Sequence, residues 1–355
     1  MTSAVANAAN RLLGKTLADG WAVEKELPRT GTQTGGFFST GYLAKNQDGR
    51  VAFLKAMDFS QAMGAPDFAR AIQQIAEQFN FERDLLEFCN GKRMRNVVRS
   101  IGGGTVDLDD SNDPMSRVQY FLFEPAHGDV RKVMDSLGDI TLAWGLLVLH
   151  QTALGLDQLH SASVAHQDVK PSNLLLFENL RSAKVGDLGC ASSMTAANPR
   201  DRLNIPGELG YAPPEQLYGH FSNEWRQRRL ASDMYQLGSV AVFLFSGLSA
   251  NALLSTELSA AHHWTTPGVL YADVLPFIRD AFGRVLTRLS AQMQGPIEAE
   301  VLKIIEQLCE PDLARRGDPR RIRRREPQYT LEPYVSRLGN LWRGAEIAHR
   351  RKLRK

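Results

Sequence analysis

Residues 166–173 read His-Gln-Asp-Val-Lys-Pro-Ser-Asn, and Asp187-Leu188-Gly189 follows a short distance on. This stretch constrains the chain more than any other, because a working fold must bring Asp168, Asn173 and Asp187 to one turn. Two carboxylates and an amide so placed are the donor set that a metal-assisted phosphoryl transfer needs. One carboxylate serves the attacking hydroxyl, while the other and the amide hold a cation on nucleotide phosphates. A bare His-x-Asp is common by chance; Lys170-Pro171 inside the loop narrows the reading.

The rest of the chain is compatible with such a site. A chain of 355 residues can bury a large core and divide into two lobes. With 43% hydrophobic and 23% charged residues, it has the composition of a soluble globular protein. Residues 1–10 lack the basic start and apolar core of a signal peptide. The most apolar stretch, 237–254, is interrupted by Ser239, Ser246, Ser249 and Asn251, which predicts a buried helix instead of a membrane span. Three scattered cysteines, Cys89, Cys190 and Cys309, predict neither a disulfide framework nor a zinc site, and a cytoplasmic location follows as the expectation. Charge is unevenly spread: residues 311–355 hold 14 Lys and Arg against 5 Asp and Glu, although the whole chain carries only +3. The basic C-terminal region can face an acidic partner, nucleic acid or an anionic surface, or be a solvated helix face.

The central stretch resembles the catalytic loop and metal-binding motif of the eukaryotic-type (Hanks-type) Ser/Thr protein kinases, H-R-D-x-K-P-x-N and D-F-G. Gln167 stands at the usual Arg and Leu188 at the usual Phe. The resemblance implies ATP with Mg2+ or Mn2+. It makes Asp168 the acceptor of the hydroxyl proton and Lys170 the cation on the transferred phosphoryl group. Asn173 and Asp187 become the metal ligands, and His166 a structural residue of the loop.

In chain order, residues 1–18 read as a leader, with a short helix at 10–17. Strands are predicted at 21–27, 38–44, 50–57, 97–101 and 118–123, with one long helix at 67–88. A loop rich in Gly and Asp spans 102–114. Asn46-Gln47-Asp48-Gly49 signals a hairpin turn of type I′. Residues 30–36 are Gly-rich and resemble, weakly, the family's phosphate-covering loop, which makes Gly35, Gly36 and Phe38 nucleotide-binding candidates. Lys55 is a lone ammonium in an apolar run and needs an anion. The family pairs that lysine with a helix glutamate, here Glu82, with Glu77 and Glu87 as rivals. By the same analogy 124–129 is a hinge whose backbone at Glu124 and Ala126 pairs with adenine, and Phe123 either closes that pocket or is plain core.

Helices are predicted at 142–160, 269–293 and 296–308. Residues 206–215, Pro-Gly-Glu-Leu-Gly-Tyr-Ala-Pro-Pro-Glu, resemble the family's G-T-x-x-Y-x-A-P-E, the platform for a protein substrate that small-molecule kinases lack. Glu208 takes the usual Thr position and can pair with Lys170. Glu215 is expected to pair with Arg316, and Asp233 to bond the catalytic-loop backbone. Without an arginine at 167, activity is not expected to require phosphorylation of the activation segment, although Ser192, Ser193 and Thr195 offer acceptors.

The expected architecture is α+β and bilobal. A small antiparallel-sheet lobe with one long helix (19–123) precedes a larger, mainly helical lobe (124–345, hinge 124–129) and a basic tail (346–355). The expected activity is transfer of the ATP γ-phosphate to Ser/Thr hydroxyls of a protein substrate, including autophosphorylation. Lys170 favours Ser/Thr over Tyr acceptors. The alternative, carried by Glu208 and the irregular glycine loop, is a pseudokinase scaffold that binds nucleotide or a partner.

Overall fold

The computed structural model describes residues 7–28, 39–57, 59, 62, 65–108, 116–137 and 140–353. It divides into two compact units, Met1–Ala126 and His127–Lys355.

The first unit is an antiparallel sheet with one long helix. Its strands are β1 (Ala22–Glu26), β2 (Ser39–Lys45), β3 (Val51–Met57), β4 (Ser100–Asp107) and β5 (Arg117–Phe123), in the order β1-β2-β3-β5-β4. Side chains alternate between the two faces of a strand. Tyr42 and Ala44 of β2, Leu54 of β3, and Val118, Tyr120 and Leu122 of β5 therefore share one apolar face. Residues expected to be a leader help complete that face: Ala9, Leu12 and Leu17 are buried in the same cluster, together with Trp21. Polar ties hold them there. The Tyr42 hydroxyl donates to the Ala9 carbonyl at 2.7 Å, Thr40 to Asn10 Oδ1 at 2.7 Å, and Tyr120 to Asp19 Oδ1 at 3.0 Å.

The opposite face carries Lys55 and Phe121, neighbours in the β3–β5 register. Helix α1 (Phe68–Gly91) docks there, its Phe79 ring stacked on Phe121 at 4.4 Å between centroids. Asp67 caps the helix, accepting from the Arg70 N–H. Phe68 is exposed, and the buried stripe is Phe79, Glu82, Leu85, Leu86 and Cys89.

Two local expectations are corrected. The turn at 46–49 closes through Gly49 N–H to the Asn46 carbonyl, with positive φ at Gly49 but not at Gln47 or Asp48. A type I′ turn needs positive φ at both central residues, so this is the longer hairpin loop with its left-handed glycine following the turn. The glycines at 102–104, expected to open a loop, instead run within β4. A Cβ at Gly103 would meet the Tyr120 carbonyl at 2.8 Å, and one at Gly104 the Tyr120 hydroxyl at 3.0 Å. The large rings of β5 therefore demand small residues opposite them.

The second unit begins with β6 (Gly128–Asp129), α2 (Val130–Leu137) and α3 (Leu142–Ser161). The strands β7 (Val164–Ala165), β8 (Leu174–Phe177), β9 (Ser182–Val185) and β10 (Ser192–Ser193) follow. They form a β6-β8-β9 sheet and a β7-β10 ladder, which flank the loop at 166–173 and the turn at 186–191. Then come α4 (Pro214–Leu217), α5 (Ala231–Ser246), α6 (Ala250–Glu257), α7 (Tyr271–Gln292), α8 (Pro296–Leu308), α9 (Pro319–Arg324) and α10 (Glu332–Leu353).

Helix α5 is the buried centre, with Ala231 through Leu244 all inside. A Cβ at its Gly238 would meet Cys309 Sγ at 2.5 Å, so the glycine is what lets the end of α8 approach. Among the described residues no single helix is long and apolar enough to cross a membrane. Helix α10 runs unbroken through residue 346, and its Trp342 ring stacks on His150 of α3. The basic C-terminal residues divide: Arg321 and Arg337 lie half-buried beside glutamates, while Arg320, Arg323 and Arg350 are exposed, Arg350 beside Glu346.

Candidate active site

In the first unit, Lys55 Nζ stands 3.0 Å from Glu82 Oε1, and the Glu82 side chain is almost fully enclosed. The strand register puts the ammonium on the face that α1 covers, and the helix stripe turns Glu82 inward toward it. Burial of two opposite charges in contact is tolerable where either alone is not. Glu77 instead accepts from Gln73 on the helix surface. The Glu124 N–H donates to the Arg99 carbonyl at 3.2 Å, and Glu124 Oε1 accepts from the Arg99 N–H at 2.8 Å. Phe123 is buried beside Phe53 and Phe121. Gly35, Gly36 and Phe38 lie outside the described residues.

In the second unit the loop 166–173 is suspended from α5. Asp233 Oδ2 accepts from the His166 N–H and Asp233 Oδ1 from the Gln167 N–H, both at 2.7 Å. One turn on, Gln236 accepts from the Val169 N–H at 2.9 Å and donates to the Gln167 carbonyl at 3.0 Å. Residues three apart on a helix share a face, so one face of α5 holds three amides of the loop, those of His166, Gln167 and Val169. His160 of α3 completes the set, 2.8 Å from Asp233 Oδ2. Burial pushes Asp233 up, but the bonds from His160 and the loop amides win and keep its carboxyl below the ordinary range. Gln167 sits at φ +68° and Asp187 at +61°, a region that costs a non-glycine residue of order 1–3 kcal/mol. These bonds fix Gln167 in that conformation.

The loop presents Asp168 inside a cradle of donors. Its Oδ1 accepts from the Glu208 N–H at 2.8 Å, and its Oδ2 from Asn173 Nδ2 at 3.0 Å. Lys170 Nζ lies 3.0 Å from Asp168 Oδ2 and 3.2 Å from Glu208 Oε2. Burial disfavours the Lys170 ammonium, yet the two carboxylates outweigh it and hold the proton more firmly than usual. The Asp168 carboxyl is raised, chiefly by burial and further by Asp187, against the pull of Lys170. The contact between Glu208 and Lys170 is thus formed. Gly207 admits it, since a Cβ there would meet the Gln167 carbonyl at 2.4 Å.

Asn173 and Asp187 flank the β8–β9 hairpin next to the Leu174–Val185 pair, and the Gly186 N–H donates to the Asn173 carbonyl at 2.9 Å. The Asn173 Nδ2 also donates to the Asp168 carbonyl at 2.8 Å, which fixes the amide and turns its oxygen to the other side. An amide oxygen and a carboxylate are the hard donor types that Mg2+ takes, so Asn173 and Asp187 fit such an ion by their chemistry. His166 is structural: its Nε2 is 2.9 Å from the Gly186 carbonyl, and its Nδ1 accepts from the Asp168 N–H at 3.3 Å.

The order of these groups matches a known pattern over most of the sequence. The model of the protein kinase domain covers residues 36–325. The chain belongs to the protein kinase family. Serine/threonine-protein kinase PknA of Mycobacterium tuberculosis is 30% identical over 217 residues, which are 59% of this chain and 48% of PknA. Serine/threonine-protein kinase drp72 of Corynebacterium efficiens is 32% identical over 188 residues, 52% of this chain and 35% of its own. Wall-associated receptor kinase-like 15 of Arabidopsis thaliana is 42% identical over 122 residues, 34% of this chain and 18% of its own. The chain spans half or less of the length of these relatives.

The kinase frame also explains the buried pair at the end of the platform segment. Arg316, fully enclosed, grips Glu215 through two bonds, Nη1 to Oε1 at 2.8 Å and Nη2 to Oε2 at 2.7 Å. Sequence reasoning anticipated this pair and Asp233. It did not single out Gln236, His160 or Arg229 as parts of the loop's support. Gln236 had a signal, its position one helical turn after Asp233; His160 and Arg229 become neighbours of the loop only through tertiary folding.

Proposed function

We propose that this chain is a Ser/Thr protein kinase that uses ATP with magnesium. The observation that carries the proposal is the Asp168 cradle: a buried carboxylate held by Asn173, Lys170 and the Glu208 amide, in a chain of the protein kinase family. Asp168 orients the acceptor hydroxyl and takes its proton. Lys170 places a cation at the transferred phosphoryl group, shared with Glu208, whose carboxylate keeps the ammonium in position before substrate arrives. Asn173 and Asp187 hold the metal ion, which when bound neutralises charge on the phosphates. Lys55, positioned by Glu82, binds phosphate oxygens, and the Glu124 carbonyl and Ala126 amide pair with the base. Catalysis is then positioning and electrostatics, with no covalent step on the protein.

The acceptor class tests the proposal. Labelled ATP, magnesium and three peptides differing only in Ser, Thr or Tyr at the acceptor position are expected to give label on the Ser and Thr peptides. Label on the Tyr peptide alone, or on none, would count against it.

A further inference from the structure

The protein lacks the loop arginine at 167, yet a guanidinium lies against that side chain. Arg229, on the π-helical turn Arg226–Leu230 that leads into α5, is 2% exposed. Its Nη1 donates to Gln167 Oε1 at 3.1 Å, and Gln167 Nε2 returns a bond to the Arg229 carbonyl at 2.8 Å. Its Nη2 reaches the segment after Asp187: it donates to the Asp201 carbonyl at 2.9 Å and lies 3.0 Å from Asp201 Oδ1. Arg228 adds a bond to the same carbonyl at 3.2 Å. Asp201 belongs to a short turn, Pro199–Arg202, closed by reciprocal bonds with Asn198. One guanidinium thus ties the catalytic loop to the activation segment.

We propose that Arg229 and Asp201 form a built-in clamp that docks the activation segment on the catalytic loop without phosphorylation. The proposal deepens the kinase reading above and rests on it for its consequence in catalysis. A buried guanidinium needs an anion. A kinase that supplies the cation from position 167 obtains that anion by modifying the segment. Here the cation comes from position 229, and the anion is a carboxylate that the chain itself supplies, 3.0 Å away at Asp201 Oδ1. The clamp is therefore closed whenever the segment is folded. Both residues are positioning residues, since neither touches the reacting groups. The hydroxyls expected as phosphate acceptors fit this picture. Ser192 is buried and accepts from Trp225 Nε1 at 3.1 Å, and Ser193 and Thr195 bond each other at 3.1 Å, so all three are engaged unmodified.

The test uses phosphatase-treated protein and two variants of the half-buried partner, Asp201→Asn and Asp201→Glu. Backbone hydrogen exchange over 198–206 is read without nucleotide, and KM and kcat are read with a generic basic protein as substrate. Asp201→Asn is expected to exchange about tenfold faster and to raise KM for the protein substrate more than it lowers kcat, because local opening competes with docking. Asp201→Glu, which keeps the charge, is expected to stay within about twofold of the native protein. Exchange in Asp201→Asn equal to the native protein would overturn the clamp, as would Asp201→Glu behaving like Asp201→Asn. A native protein inert after phosphatase treatment and revived by phosphorylation of the segment would also overturn it. If no protein transfers phosphate under any condition, the kinase reading fails and the exchange data alone still decide the clamp.

Discussion

Asp168→Asn and Asp168→Ala are each expected to lower the rate of phosphate transfer by about 10²–10⁴-fold, the usual contribution of a positioned general base. The two variants separate charge from geometry. Both carboxylate oxygens of Asp168 accept bonds, one from the Glu208 N–H and the other from Asn173 Nδ2. An amide must set its NH2 against one of these donors, a misfit worth about 1–3 kcal/mol. Alanine removes the acceptor without creating that clash. Equal losses in the two identify the missing base as the cause. A matching signature is expected in the pH profile of the native protein. Burial raises the Asp168 carboxyl, and a base must be deprotonated, so activity is expected to be lost as pH falls through that raised value. The acid limb of kcat is therefore expected above the ordinary aspartate range near about 4. A limb that begins only within that range, or a variant retaining a tenth of the native rate, would remove Asp168 from this role.

Arg316→Met is expected to be the most destabilising single change in the second unit. Arg316 is fully enclosed, and beyond Glu215 its guanidinium donates to the carbonyls of Ala231 and Glu310. Burial works against its charge, but Glu215 outweighs burial and keeps the guanidinium protonated more firmly than usual. Removing it strands the Glu215 carboxylate, which accepts both of its strong bonds from Arg316, in an enclosed site. Breaking a buried pair from one side costs about 3–5 kcal/mol, far more than the pair itself contributes relative to apolar residues. Urea unfolding followed by circular dichroism measures the loss. The double variant Glu215→Met with Arg316→Met is expected to be more stable than Arg316→Met alone. A single variant losing less than about 1 kcal/mol would show that the carboxylate finds another partner or takes a proton at low cost.

Much of the fold was legible wherever one periodicity ran without interference. Val51 to Met57 is an apolar run broken only by Lys55 and pairs over its whole length with β2, and the Pro296 start with an apolar stripe located α8 to the residue. Legibility failed where a residue's reason lies across space. Gly103 and Gly104 look like loop formers, yet they are strand residues because Tyr120 and Phe121 crowd the opposite strand. Ala9, Leu12 and Leu17 are too few to signal a core element, and only the exposed apolar face of the sheet makes sense of them. In the site, Asp168, Lys170, Asn173 and Asp187 were readable because the chemistry confines them to one loop and one hairpin. Arg229 was not, because its meaning depends on Gln167 and Asp201, 62 and 28 positions away.

The most direct measurement is γ-phosphate transfer from labelled ATP with magnesium, to the protein itself and to a generic basic protein. It compares the native chain with Asp187→Asn. The proposed mechanism predicts transfer by the native chain and none by the variant, with equal thermal stability of the two. Equal labelling by both proteins, or none by either while ATP still raises the melting temperature, would contradict it and leave a nucleotide-binding protein without the reaction.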